Sequence, residues 1–284
     1  MVWRPSQIVE DAAEPADIRN MGHALRQSAR IRAIAWRDLT ALRPVEQLKE
    51  LLLPLPFLLT ARVAFAFDVP LLPWLASAYF FLAGLRLVHD AFHDNLALSR
   101  PAGRVVLLAL SGAMLGSMHA VRITHLQHHR DCLGPDDVEG QTARRSAWRA
   151  IGAGLAFPFR LHRAAWRRAS LVDRRYIAGE LLITAALLVA AATHVSSQVT
   201  HHVLLMAIAQ GLTGFFAVWT VHHDVDEERQ VARTLRHRLK SALALGMFFH
   251  LEHHLFPRVP TCHLPVLAER LDAAAPELSK ATVY

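Results

Sequence analysis

Cysteine is scarce in this chain. Cys132 and Cys262 are the only two in 284 residues, and they lie in different segments. That excludes a disulfide framework and any CxxC metal or redox motif. Asparagine is limited to Asn20 and Asn95. No run repeats at 20–50 residues, which argues against a solenoid or propeller. The first 45 residues are polar and Arg-rich with no apolar core run, so no cleavable signal peptide is expected. Positive charge is absent from two long segments, 68–85 and 176–228, although the chain carries a formal charge of +7.

What is plentiful is apolar surface. Hydrophobic residues make up 53% of the sequence, and the mean hydropathy is +0.23. Such a composition points to membrane spans. Four apolar stretches approach the ~20 residues that cross a hydrocarbon core: 51–67, 70–88, 177–193 and 203–221. The first contains Pro54, Pro56 and Arg62, and Arg62 must snorkel or face protein. A fifth stretch, 105–118, is short enough to suggest a re-entrant or interfacial element.

The loops set the orientation. Turns 68–70 and 194–202 carry no Lys or Arg. The chain through Lys49, segment 86–175 and the tail after His223 hold every Lys and Arg except Arg62. The positive-inside rule then places both termini and the central segment in the cytoplasm. The expected fold is an all-α membrane protein. Four transmembrane helices form two hairpins under a cytoplasmic helical cap. The expected organisation is an N-terminal arm (1–47), one membrane domain (48–272) and a short tail (273–284). Segment 144–175 mixes Arg with Trp, Phe and Leu and reads as an interfacial amphipathic helix. With spans on either side, nucleic acid is not the expected partner of its positive charge.

The 18 histidines are unevenly placed. "HDAFH" sets His89 and His93 at i and i+4. "HLQHH" supplies His125, His128 and His129, and "HLEHH" supplies His250, His253 and His254. The fourth apolar stretch runs into "VHHDVD", with His222 and His223. Positions i, i+3 and i+4 share one helix face, so each box aims its imidazoles in one direction. All the boxes fall at the cytoplasmic ends of spans or in cytoplasmic segments. Single histidines such as His23, His162, His194, His201, His202, His237 and His263 read as hydrogen-bonded structural residues. Two HxxHH triples on one side of a membrane read as metal ligands. Imidazole alone does not choose among Fe, Zn, Cu and Ni. Eight or nine histidines exceed the four of a zinc site and suit two metals. Asp90 and Glu252 are candidates to take the second N–H of ligating rings, and Asp224 or Asp226 could do so near His223. Asp136, Asp137 and Asp226 read more simply as surface acids.

These boxes resemble those of the membrane fatty acid desaturase family, and "HLEHHLFPRVPTCHLP" looks like the acyl-lipid version. The resemblance covers roughly residues 48–272. It implies a four-span helical fold, a cytoplasmic di-iron site and O2-dependent oxidation of a lipid chain. By position it implies iron ligation by His89, His93, His125, His128, His129, His250, His253 and His254. A ninth ligand from the end of the fourth span is implied too, and the match to relatives favours His223 over His222. Trp219 and Gly246 stand where some relatives have Asn. The implied substrate is a fatty acyl chain of a lipid, with O2 as co-substrate, two iron ions, and a separate electron donor such as a ferredoxin or small haem protein. The expected outcome is a double bond. Oxygen insertion into a lipid, carotenoid or hydrocarbon is the alternative, and a non-enzymatic membrane metal-binding protein is the third reading. An unactivated methylene has no acidic proton and no leaving group, so acid–base catalysis cannot begin there, and metal-centred chemistry with O2 is needed.

Overall fold

The structure is a computed structural model that describes residues 28–225, 231–280 and 282–283. The expectations for His23 and Asp226, and for the arm before residue 28, concern positions outside the described residues. Among the described residues there is no β-strand, only an isolated bridge between Thr234 and Thr282.

Helix α1 (Pro44–Leu52) begins with a one-sided cap from Glu46. The Glu46 carboxylate accepts the Arg43 N–H at 2.8 Å. A break at Leu53, with Pro54 next, separates α1 from α2 (Pro54–Ala66). Residues 51–67 are therefore shared between two helices. The 13 residues of α2 rise only about 20 Å at ~1.5 Å per residue. A tight turn with Asp68 (φ 51°) and Leu71 (φ 62°) returns the chain into α3 (Leu72–Phe92), which packs along α2. Arg62 faces protein. Its Nη1 donates to the Gln198 carbonyl at 2.6 Å, and the Gln198 amide donates back to the Arg62 carbonyl at 3.1 Å.

Helix α4 (Arg100–Met114) is capped by Ser99 and stopped by Leu115 in the left-handed region. Ser117 caps α5 (Met118–Arg130), accepting from the Ala120 N–H at 3.0 Å. The two helices meet at 107°. The short stretch at 105–118 thus turns sharply on itself, as its length suggested. After a short helix at Ala147–Gly152 comes α6 (Phe157–Arg168), whose exposed face shows Phe159 and Trp166 among arginines. This pattern matches the amphipathic reading of 144–175.

Helices α7 (Leu171–Ala192) and α8 (Ser197–Thr213) form a hairpin. α8 continues through a π-helical stretch, Gly214–Trp219, and ends at His222. Among the described residues, Leu171–Ala192 and Ser197–His222 are the two helices long and apolar enough to cross a membrane, or there are up to three spans if the bent α4–α5 pair is one. Leu182, Val189 and Leu204 are exposed on this hairpin, as lipid-facing residues would be.

Two cores support the site. One joins α3, α4 and α8 through Phe80, Leu87, Phe92, Leu110, Met114 and Met206. The other surrounds α9 (His250–Leu255) and α10 (Leu264–Ala274). Leu251, Leu255, Leu267 and Leu271 pack there on Ile31, Ile34 and Leu39. Ala275, Leu278 and Val283 are also buried. Residues on both sides of the expected boundaries at 47 and 272 therefore pack with the domain.

Candidate metal centre

Four chain segments deliver histidines to one place. The end of α3 brings His89, with His93 just beyond it. One face of α5 brings His125, His128 and His129. The end of the α8 continuation brings His222, and α9 brings His250, His253 and His254. Nε2 atoms meet at short range: His125–His93 at 3.1 Å, His129–His125 at 3.2 Å and His253–His129 at 2.9 Å. His89, His93, His125, His129 and His253 form one group whose ring nitrogens lie within 4.8 Å of one another. In a second group His222 Nε2 lies 3.1 Å from His128 Nε2 and 3.0 Å from His250 Nε2, and His254 Nε2 lies 3.1 Å from His250 Nε2. Cys132 Sγ is 4.0 Å from His222 Nδ1. That edge of the ring donates to the Val231 carbonyl at 2.8 Å, and Cys132 Sγ lies within 4.8 Å of a ring nitrogen of each of His128, His222 and His254.

The donor set fits metal cations. His128 Nδ1 faces the Asp137 carboxylate at 2.7 Å, and His125 Nδ1 faces Glu139 at 3.2 Å. Carboxylates and carbonyls accept only, so the proton of each neutral ring sits on Nδ1. His128 and His222 therefore point two Nε2 lone pairs at each other. Two acceptors at that range repel unless a cation lies between them. Both nitrogens of buried His89 also have no hydrogen-bond partner among the described residues, and such burial is costly without compensation. Burial first, and then mutual repulsion among the surrounding rings, holds His250, His253 and His254 well below the usual histidine range. Neutral imidazole is the form that binds metal.

His223 does not join them. Its Nδ1 donates to the Trp219 carbonyl at 2.7 Å and its ring stacks on the Trp219 indole at 3.7 Å. The expectation that His223 faces the boxes is corrected to His222. The π-helical stretch just before it adds a residue to the turn and changes the helix phase. Thr220 Oγ1 donating to the Phe215 carbonyl at 3.0 Å, five residues back, belongs to the same wide turn.

The acids also redistribute. Asp137, read as a surface acid, is fully buried and holds His128. Burial works to raise its carboxyl, but His128 and the N–H groups of Gly140 and Leu133 outweigh this and hold it at about 2. Glu139, which the sequence reading missed, holds His125 and accepts from Thr124 Oγ1 at 2.9 Å. Its signal was spacing: two acids, Asp137 and Glu139, 9 and 14 residues after the rings they hold. Asp90 and Glu252 bond the scaffold instead. Asp90 accepts from the Thr261 N–H at 3.1 Å, and Glu252 accepts from Arg236 at 2.5 Å and Thr234 at 2.8 Å. Asp136 is exposed, as expected. Gly246 sits at φ 72°, a conformation open to Gly and Asn alike.

An apolar cavity of ≈ 130 Å³ adjoins His89, His125 and His250 and is lined by Leu85, Val88, Phe92, Val121, Leu161 and Phe216 among others. Few polar groups enter it, so it suits a hydrocarbon better than a polar substrate.

Comparison with known proteins agrees with this arrangement. The chain is 26% identical over 216 residues to a beta-carotene ketolase of Paracoccus sp. (strain N81106 / MBIC 01143), covering 72% of this chain and 78% of the relative. A family model described as fatty acid desaturase matches residues 68–283. That match covers most of the chain and includes every histidine of the cluster: this protein belongs to the fatty acid desaturase family.

Proposed function

We propose that this integral membrane oxidoreductase uses two iron ions and O2 to oxidise an unactivated methylene of a lipid. The observation that carries the reading is the pair of facing Nε2 atoms on His128 and His222, 3.1 Å apart beside an apolar cavity. His89, His93, His125, His129 and His253 would hold one iron, and His128, His222, His250 and His254 the other. Bound iron supplies the oxidising power that acid–base groups lack. The protein's own residues do the positioning. Asp137 and Glu139 fix the tautomers of His128 and His125, so that Nε2 stays free for metal. Leu85, Val88, Val121 and Phe216 exclude water and seat a hydrocarbon beside the cluster. Electrons come from a separate carrier protein.

The product we infer is a double bond in a fatty acyl chain. One specific observation favours a second reading, oxygen insertion: the relative that is a beta-carotene ketolase. Expression of the full chain in a host supplied with acyl lipids and, separately, with carotenes distinguishes the two by mass. Desaturation removes two hydrogens. Insertion adds oxygen. Purified, active protein holding zinc and no iron would end both readings.

For topology we propose four spans, with α3 and the region around α2 adding to the α7–α8 hairpin. Both termini and the cluster are cytoplasmic, an orientation supported by the missing Lys and Arg at 68–85 and 176–228. Cysteine substituted at Ser197 is then labelled from outside, and cysteine at Pro276 from inside. Labelling of position 276 from outside would invert the arrangement.

A further inference from the structure

Away from the cluster's apolar cavity lies a second cavity of ≈ 330 Å³, between the N-terminal ends of α4 and α7. Its lining is cationic. Arg100, Arg104 and Arg122 border it, against the carboxylates of Asp94 and Asp173. Arg122 is partly neutralised, with Nη2 at 3.4 Å from Asp94. Among the described residues Arg100 and Arg104 have no carboxylate partner. Arg104 instead lies over the Tyr176 ring at 5.3 Å. The start of the 15-residue helix α4 adds the positive end of its dipole.

His119 forms part of the cavity wall. It is only 7% exposed, and its Nε2 has no hydrogen-bond partner among the described residues. The rest of the ring is fixed. Nδ1 is 2.6 Å from the buried Glu180 carboxylate, and the ring stacks on Tyr176 at 4.6 Å. Glu180 is in turn held by Ser117 Oγ. With Nδ1 donating to Glu180, the neutral ring presents an Nε2 lone pair, so His119 shapes the cavity wall and the arginines supply the donors.

We propose that this cavity binds a phosphate group, and that the phosphate belongs to a membrane lipid. Guanidinium forks and a helix N-terminus match the several oxygens of a phosphate. A lipid source is favoured over free phosphate by what surrounds the opening. Val105 and Leu108 on α4, and Leu171 and Val172 on α7, are 65%, 39%, 75% and 52% exposed. α7 is a helix able to span the membrane, so its first residues stand at a bilayer surface, where headgroups lie. Neither the iron sites nor the identity of the oxidised substrate enters this assignment.

The test is native mass spectrometry of the full chain released from detergent micelles containing dioleoyl phosphatidylglycerol. Wild type retains one lipid per chain. Arg100→Ala/Arg104→Ala retains about tenfold less, which corresponds to roughly 1.4 kcal/mol. The single variant Arg104→Gln shows a smaller loss, and serves alone if the double variant does not elute as a monodisperse species. Dioleoylglycerol, which lacks phosphate, is not retained, and millimolar inorganic phosphate does not displace the phospholipid. Equal retention by the arginine variants, or of dioleoylglycerol, overturns the site. Displacement by inorganic phosphate at that concentration overturns the lipid source.

Discussion

His222 Nε2 stands 3.1 Å from His128 Nε2, while the next residue turns its ring onto Trp219. In both His128 and His222 the opposite nitrogen is already committed, to Asp137 and to the Val231 carbonyl. In the neutral form that binds metal, two imidazoles anchored in that way have only lone pairs to offer each other. The arrangement is stable with a cation shared between them.

The ninth ligand follows from that pair. His222→Ala should lose about half of the bound iron and nearly all activity, because it removes one of four nitrogens from one proposed site. His223→Ala should keep both. Iron per chain, measured by elemental analysis of purified protein, decides it. Iron loss in His223→Ala with retention in His222→Ala would place the ligand one residue on and contradict the geometry.

Asp137 and Glu139 act through the rings they hold. Asp137→Asn keeps the shape but can offer an N–H where an acceptor is needed, so the His128 tautomer is no longer fixed. Second partners of metal-binding histidines typically contribute about 10–100-fold to metal affinity. Asp137→Asn and Glu139→Gln should each weaken iron retention during chelator titration by roughly that factor, while Asp136→Asn leaves it unchanged. Equal retention in all three would mean that the carboxylates only pack.

The histidine boxes were legible because their spacing is a property of the α-helix, and α5 and α9 are regular. His222 was not legible. The π-helical stretch at Gly214–Trp219 shifts the phase of the helix, and the residue pattern does not announce it. Asp137 was misread because it lies in an irregular segment, where no periodicity separates a buried acid from an exposed one. The division of the first apolar stretch into two helices at Leu53 was not legible either, because hydropathy is blind to it. Tertiary packing also escaped the sequence. Thr261 binding Asp90 joins residues 171 positions apart.

Packing makes a stability prediction at Gly154. A Cβ there would lie 1.7 Å from the Gly211 carbonyl oxygen, a backbone atom of α8 with little freedom to move. Gly154→Ala should therefore push the segment before α6 away from α8 and lower the thermal midpoint in detergent, with a cost of about 1–3 kcal/mol or more. Gly152→Ala is the control, since a Cβ there meets nothing within 4 Å. Equal midpoints for the two variants would show that α8 yields at this contact.

The apolar cavity can be tested apart from the metal. Leu85 lines it and is only partly buried, and it packs against the core of α3, α4 and α8. Leu85→Trp adds bulk where a hydrocarbon is proposed to lie, without touching a histidine. Overpacking a site of this kind typically costs about 1–3 kcal/mol, which a folded chain can absorb. Iron content should stay at the wild-type level while turnover of the longest accepted chain falls by about tenfold, corresponding to roughly 1.4 kcal/mol at the transition state. Leu85→Ala should relax the limit and extend the range of chains oxidised. Product profiles of the two variants, normalised to bound iron, provide the comparison. A parallel loss of iron and activity in Leu85→Trp would mean that the bulk disturbed the cluster itself. Unchanged profiles in both variants would exclude this cavity as the seat of the substrate.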